Sequence, residues 1–169
     1  NNLLKREPGI EEVIAVPLYP HYAMSSYETA VEYAKAAHIK NNYSFTLKFV
    51  QPFYNNADYI NALAENMSRY INEEFDHILF SYHGVPGRHI MKSDTTGCHC
   101  LKVENCCQTP SPAHATCYRH QCFTTTNLVI KQLNIPEDKY SIYFQSRLGK
   151  GWLEPFTDIR LAEMPKEGI

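Results

Sequence analysis

No apolar run in the sequence approaches the roughly 20 residues that a bilayer-spanning helix needs, so the chain offers no membrane span. Basic charge is not in excess either, because the formal net charge is -2. That leaves no electrostatic field for nucleic acid and no polybasic patch for an anionic membrane. Neither GxGxxG nor GxxxxGK followed by Ser or Thr occurs, so nothing supports a nucleotide site. Residues 1–8 carry no start methionine and no charged-then-apolar leader. The sequence reads as cut inside a longer chain, and again at Gly168 and Ile169, where a helix should hand over to a strand. Repeats and low-complexity segments are missing. Thiols are missing as well, outside one stretch from Cys98 to Cys122.

What is there has the pattern of an α/β protein. The 169 residues can bury one full core or parts of two smaller ones. Apolar, β-branched or aromatic runs predict strands at Glu12–Leu18, Ser44–Val50, His77–Tyr82 and Ser141–Gln145. Helical spacing lies between most of them. Ser25 with Glu28 resembles a capping box ahead of Tyr27, Ala30, Val31 and Ala34. Ile60, Leu63, Met67 and Ile71 form an apolar stripe on a helix expected over Asp58–Asn72. Two more helices are expected, over Thr125–Leu133 with a stop at Pro136, and over Thr157–Met164. Strands alternating with helices imply parallel sheets flanked by helices, with ligands at the carboxyl ends of the strands.

Those ends carry unusual residues. The first strand runs into PLYPHY (17–22), the third into SYHGVP (81–86) and the fourth into QSRLG (145–149). Polar, aromatic and imidazole groups stand where a plain connector would carry Gly, Asn and Asp. His83 follows a strand directly and precedes a Gly-x-Pro turn, which should hold the imidazole over the sheet edge. Neutral imidazole ligates Fe(II) and exchanges protons near pH 7. A half-buried histidine bonded to a loop carbonyl is the plainer use of the same position.

FSYHGVP (80–86), FQSRLG (144–149) with WLEPFTD (152–158), and VPLYPHY (16–22) with Ser25 and Ser26 resemble three motifs of the ferrochelatases, in that family's order and roughly at its spacing. In the family, a strand ends in Ser-x-His-Gly or Ser-x-His-Ser, and a second signature has the form FQS(R/K)xG…PWLxPxTD. The resemblance implies a chelatase-like fold of two similar α/β halves around a porphyrin cleft, truncated here at both ends. Residues 1–75 would be the later part of the first half and 76–169 the beginning of the second. The implied activity is a lyase reaction of haem synthesis in the cytoplasm, insertion of ferrous iron into protoporphyrin IX or coproporphyrin III. His83 would bind the incoming iron or accept pyrrole protons. Tyr19, Tyr22, Ser25, Ser26, Gln145, Arg147 and Trp152 would line or orient the porphyrin. Gln145 and Arg147 could equally form a network behind the site, and Tyr19 an ordinary rim aromatic. An essential glutamate in a later FxxDxxETL-like motif falls after residue 169, so the piece alone is expected to be inactive. Porphyrin and ferrous iron are the implied partners, nucleic acid is not, and peripheral membrane contact is left open.

The cysteine stretch 92–122 lacks periodicity and stands apart from the common family pattern. Cys98, Cys100, Cys106, Cys107, Cys117 and Cys122 are interleaved with His99, His114 and His120. Such density suits zinc or a [2Fe–2S] cluster, but no CxxC…CxxC frame fixes the ligands. Some bacterial ferrochelatases carry such a cluster. The alternative is a surface loop of reduced thiols. Two non-catalytic readings of the whole chain also stand: a two-lobed ligand-binding module, and a metal-binding domain organised by the cysteines.

Overall fold

The computed structural model describes residues 6, 7, 9–71 and 74–169. It is α/β, built from parallel strand pairs with helices between the paired strands, in two compact units, Asn1–Phe53 and Tyr54–Ile169.

In the first unit β1 (Glu12–Ala15) pairs in parallel with β2 (Thr46–Phe49), Val13 opposite Leu47. β1 is shorter than the sequence suggests, because Pro17 has no N–H to give a ladder. Between the strands lie a π-helical turn (Met24–Glu28) and helix α1 (Thr29–Lys40). The capping box expected at Ser25 and Glu28 does not form. Both residues sit inside the π-turn, which Ala23 precedes without a side-chain cap. The Thr29 hydroxyl donates to the Met24 carbonyl at 2.6 Å, and buried Tyr27 donates to the Val50 carbonyl at 3.1 Å. The latter bond fastens the turn to the end of β2.

In the second unit α2 (Ala57–Ile71) presents its stripe to the interior, burying Ile60 and Ala64, and packs on α4 (Tyr118–Leu133). The expected helix end at Asn72 lies outside the described residues. β3 (Ile78–His83) pairs in parallel with β4 (Tyr140–Gln145) over six positions, from Ile78 opposite Tyr140 to His83 opposite Gln145. Helix α3 (Gly87–Ser93), the cysteine segment and α4 make the crossover, and α5 (Thr157–Glu163) follows β4.

Helix α4 starts seven residues before the expected Thr125. Its interior positions include the polar Gln121, Thr125 and Thr126, so no apolar stripe announces it. Their polar groups are satisfied: Gln121 donates to the Ala115 carbonyl at 3.0 Å and Thr125 to the Tyr54 carbonyl at 2.7 Å. The helix closes on Asn134 in the left-handed region, φ 52°, a conformation asparagine tolerates.

The core of this unit joins Val85, Ile90, Ala113, Phe144 and Leu153 to Cys100, Cys117 and Cys122. Phe144 is fully buried, which stabilises by about 2–3 kcal/mol on area grounds. Five of the six cysteines are buried and Cys98 is exposed, while residues 101–105 and 108–110 of the same stretch face solvent.

Candidate functional site

The two signature runs are zipped together at the carboxyl ends of β3 and β4. Gly84 N–H donates to the Gln145 carbonyl at 2.7 Å, Leu153 N–H to the Val85 carbonyl at 2.9 Å, and Gly87 N–H to the Gly151 carbonyl at 2.8 Å. Pro86 bridges Trp152, Phe144 N–H donates to the Pro155 carbonyl at 2.8 Å, and Ser81 shares a 2.8 Å hydrogen bond with Thr157. The approach is so close that a Cβ on Gly84 would lie 2.7 Å from the Gln145 carbonyl oxygen. Gly84→Ala should therefore spread the strand ends and cost about 1–3 kcal/mol, measurable by denaturant unfolding.

His83 ends β3 with an exposed side chain, and Gln145, opposite it, is exposed too. Half-buried Trp152 lies against Gly84. Arg147 donates to Asp158 at 2.9 Å and lies over the Phe156 ring, 4.2 Å from its centroid. Its guanidinium is thus engaged within its own loop, beside a hollow of about 420 Å³ that Lys150 and Gly151 also line. Ser146, between Gln145 and Arg147, holds φ at +64°, a strained setting for a side-chain-bearing residue.

The other expected site residues belong to the first unit. Tyr19 is partly exposed, Ser25 exposed, and Tyr22 and Ser26 half-buried. Tyr22 packs near Tyr27, ring centroids 6.0 Å apart, and both line a hollow of about 490 Å³ with Lys35 and Phe49. Burial holds His21 down at a pKa of about 4, so it is neutral at pH 7.

A sequence model of the family described as Ferrochelatase matches residues 3–169. The chain belongs to the ferrochelatase family. The ferrochelatase of Opitutus terrae is 45% identical over 162 residues, covering 95% of this chain and 47% of that protein. That of Pseudomonas fluorescens is 42% identical over 171 residues, covering 99% and 50%. That of Pseudomonas syringae pv. tomato is 40% identical over 164 residues, covering 96% and 48%. The chain spans about half the length of the curated relatives it matches.

Against this ferrochelatase frame the cysteine segment forms a second constellation. The Asp94 carboxylate gathers its start, accepting from Thr96 N–H and Oγ1, His99 N–H and Cys100 N–H at 2.7–2.9 Å. The Thr96 hydroxyl and these amides hold its carboxyl well below the usual range. Three imidazoles then grip the vicinal pair. His99 and His114 both donate to the Cys106 carbonyl, at 2.7 and 2.8 Å, and His120 donates to the Cys107 carbonyl at 2.7 Å. The His114 and His120 rings stack with centroids 3.6 Å apart.

Three thiols meet within this frame, with Cys106 beside them on the same arginine. Cys117 hydrogen-bonds with Cys107 and with Cys100. The Arg119 guanidinium reaches the sulfurs of Cys107 and Cys106 at 3.8 and 4.0 Å. The Cys107 thiol, the Cys100 thiol and the His120 N–H all favour the Cys117 thiolate, so its pKa is lowered. Its bond to Cys117 pushes Cys107 up, and burial pushes Cys100 up to about 12. Cys98 is exposed, and Cys122 turns to Tyr118 instead. Among the described residues no three His, Cys, Asp or Glu side chains stand as a ready-made metal site; the sulfurs of Cys107 and Cys100 are hydrogen-bonded to Cys117.

Sequence reasoning missed Asp94, Tyr118 and Arg119. Asp94 opens an Asp-x-Thr turn, which the sequence displays. Nothing in the sequence marked the other two.

Proposed function

We propose that the full-length protein containing this chain inserts ferrous iron into a porphyrin, protoporphyrin IX or coproporphyrin III, as a lyase of haem synthesis. The observation carrying this reading is the zipping of both signature runs around an exposed His83, in a chain of the ferrochelatase family. His83 would meet the reacting centre, as a ligand for the substrate iron or as acceptor of a pyrrole proton. Gln145 and Trp152 would orient and pack the macrocycle from the same strand ends; for Tyr19, Tyr22, Ser25 and Ser26 a porphyrin-binding role is supported by the family resemblance of their motif alone. Arg147, already paired with Asp158, would support the loop. The family's second half would open near residue 76, ahead of β3. No helix among the described residues is long and apolar enough to cross a membrane; a cytoplasmic site of action, with any membrane contact peripheral, belongs to this proposal.

The cysteine constellation would hold zinc or a [2Fe–2S] cluster, through Cys100, Cys106, Cys107 and Cys117. Four buried sulfurs are the donor set that both groups accept, and Arg119 offsets the negative charge that thiolates would gather. Such a group would tie together a segment that has little apolar periodicity. Cys98 and Cys122 are set aside because one faces solvent and the other Tyr118.

Anaerobic incubation of the full-length protein with ferrous iron and porphyrin should yield metalloporphyrin, read from its visible spectrum, whereas residues 1–169 alone should yield none. A full-length protein without product would leave the ligand-binding and cysteine-scaffold readings.

A further inference from the structure

The peptide that joins His83 to Gly84 is held at both ends. Its N–H, on Gly84, donates to the Gln145 carbonyl at 2.7 Å. Its carbonyl, on His83, accepts from the Tyr118 hydroxyl at 2.8 Å. A peptide unit is planar, so two such bonds fix its tilt and with it the direction in which Cα–Cβ of His83 leaves the chain. The imidazole itself is exposed. Its aim therefore depends on the backbone and not on packing.

The phenol that makes the second bond is held from behind. Tyr118 packs against the core cluster that contains Cys122, which is fully buried, and the two side chains are hydrogen-bonded. A hydroxyl has one hydrogen, and that of Tyr118 goes to a carbonyl, which can only accept. The Cys122 thiol is thus the donor to the phenol oxygen. Burial raises the pKa of both groups, so both keep their protons and the order Cys122 S–H, Tyr118 O–H, His83 C=O persists at neutral pH. Four residues beyond Cys122, Thr126 shares a 2.8 Å hydrogen bond with the hydroxyl of Tyr82. Helix α4 therefore braces two consecutive residues at the end of β3.

We propose that Tyr118, backed by Cys122, is a positioning residue for His83, setting the peptide plane from which the imidazole is presented to the porphyrin. The proposal rests on the ferrochelatase reading above and requires no metal at the other cysteines. Contacts alone are no proof of coupling, so the test is a set of variants of the full-length protein. Tyr118→Phe keeps the ring and loses the hydroxyl. It should lower kcat for iron insertion by about three- to tenfold, with porphyrin KM and thermal midpoint nearly unchanged. Added to His83→Ala, it should take nothing further from the residual rate. Cys122→Ala should bring part of the same loss, and Cys122→Ser, which keeps a donor, should restore it. In NMR of the histidine rings, the His83 signals, assigned by their disappearance in His83→Ala, should be displaced in Tyr118→Phe.

Equal kcat for wild type and Tyr118→Phe overturns the positioning role. So does an equal loss in the His83→Ala background, which would place the hydroxyl's effect elsewhere. A Cys122→Ser variant as slow as Cys122→Ala shows a packing effect and overturns the backing role of Cys122. Wild-type protein that forms no metalloporphyrin overturns the ferrochelatase reading; undisplaced His83 signals in Tyr118→Phe overturn the positioning of His83 separately.

Discussion

Replacing His83 with alanine in the full-length protein is expected to lower ferrous iron insertion by about a hundred- to ten-thousandfold, the range general acid–base groups commonly supply. Loss of an iron ligand would act in the same direction. The fold should hardly notice. The side chain is exposed at the end of β3, so its removal opens no cavity. The backbone there is held by other bonds: Gly84 N–H to the Gln145 carbonyl and the Tyr118 hydroxyl to the His83 carbonyl. Stability should stay within about 0.5 kcal/mol of wild type, as for surface substitutions generally. Turnover and thermal midpoint measured on one preparation decide the matter. Near-normal turnover with an unchanged midpoint would remove His83 from the reaction.

That expectation could be drawn from the sequence because β3 and β4 announce themselves. Each is a short run of aromatic and β-branched residues followed at once by polar ones, and a strand that stops in the word HGVP puts its histidine at the sheet's end. The partnership between the two signatures was not visible. Val85 and Leu153, or Gly84 and Gln145, are more than sixty positions apart, and no local pattern encodes a hydrogen bond at that separation. Helix α4 was half visible for a different reason. Periodicity finds apolar stripes, whereas this helix buries Gln121, Thr125 and Thr126 and is capped by a cysteine. The capping box at Ser25 and Glu28 misled in the opposite way. The residue types were right, but the chain widens into a π-turn there, and α1 begins at Thr29. The cysteines showed thiol density and nothing of its sorting. Spacing alone could not tell that Cys98 faces solvent, that Cys122 meets Tyr118, and that Cys100 and Cys107 close on Cys117.

Cys117→Ser should separate what the sulfur does for the fold from what it does for a metal. Serine caps helices well, so the acceptor for His120 N–H survives the change. Its hydroxyl, however, is a hard and weakly acidic oxygen, a poor ligand for zinc or cluster iron beside three thiolates. Full-length wild type prepared anaerobically should carry about one zinc, or about two irons with sulfide and a brown visible spectrum, per chain. Cys117→Ser should lose essentially all of it, and Cys98→Ser should keep it, since Cys98 lies exposed while the other cysteines are buried. Because the metal's binding free energy would also fold the segment, the variant should become open to protease between Asp94 and Cys117 while β3 and β4 remain protected. Elemental analysis, absorption and limited proteolysis each read a different part of this outcome. Anaerobic wild type with neither metal, and with all six thiols open to a titrating reagent, would show that these cysteines serve only as packing.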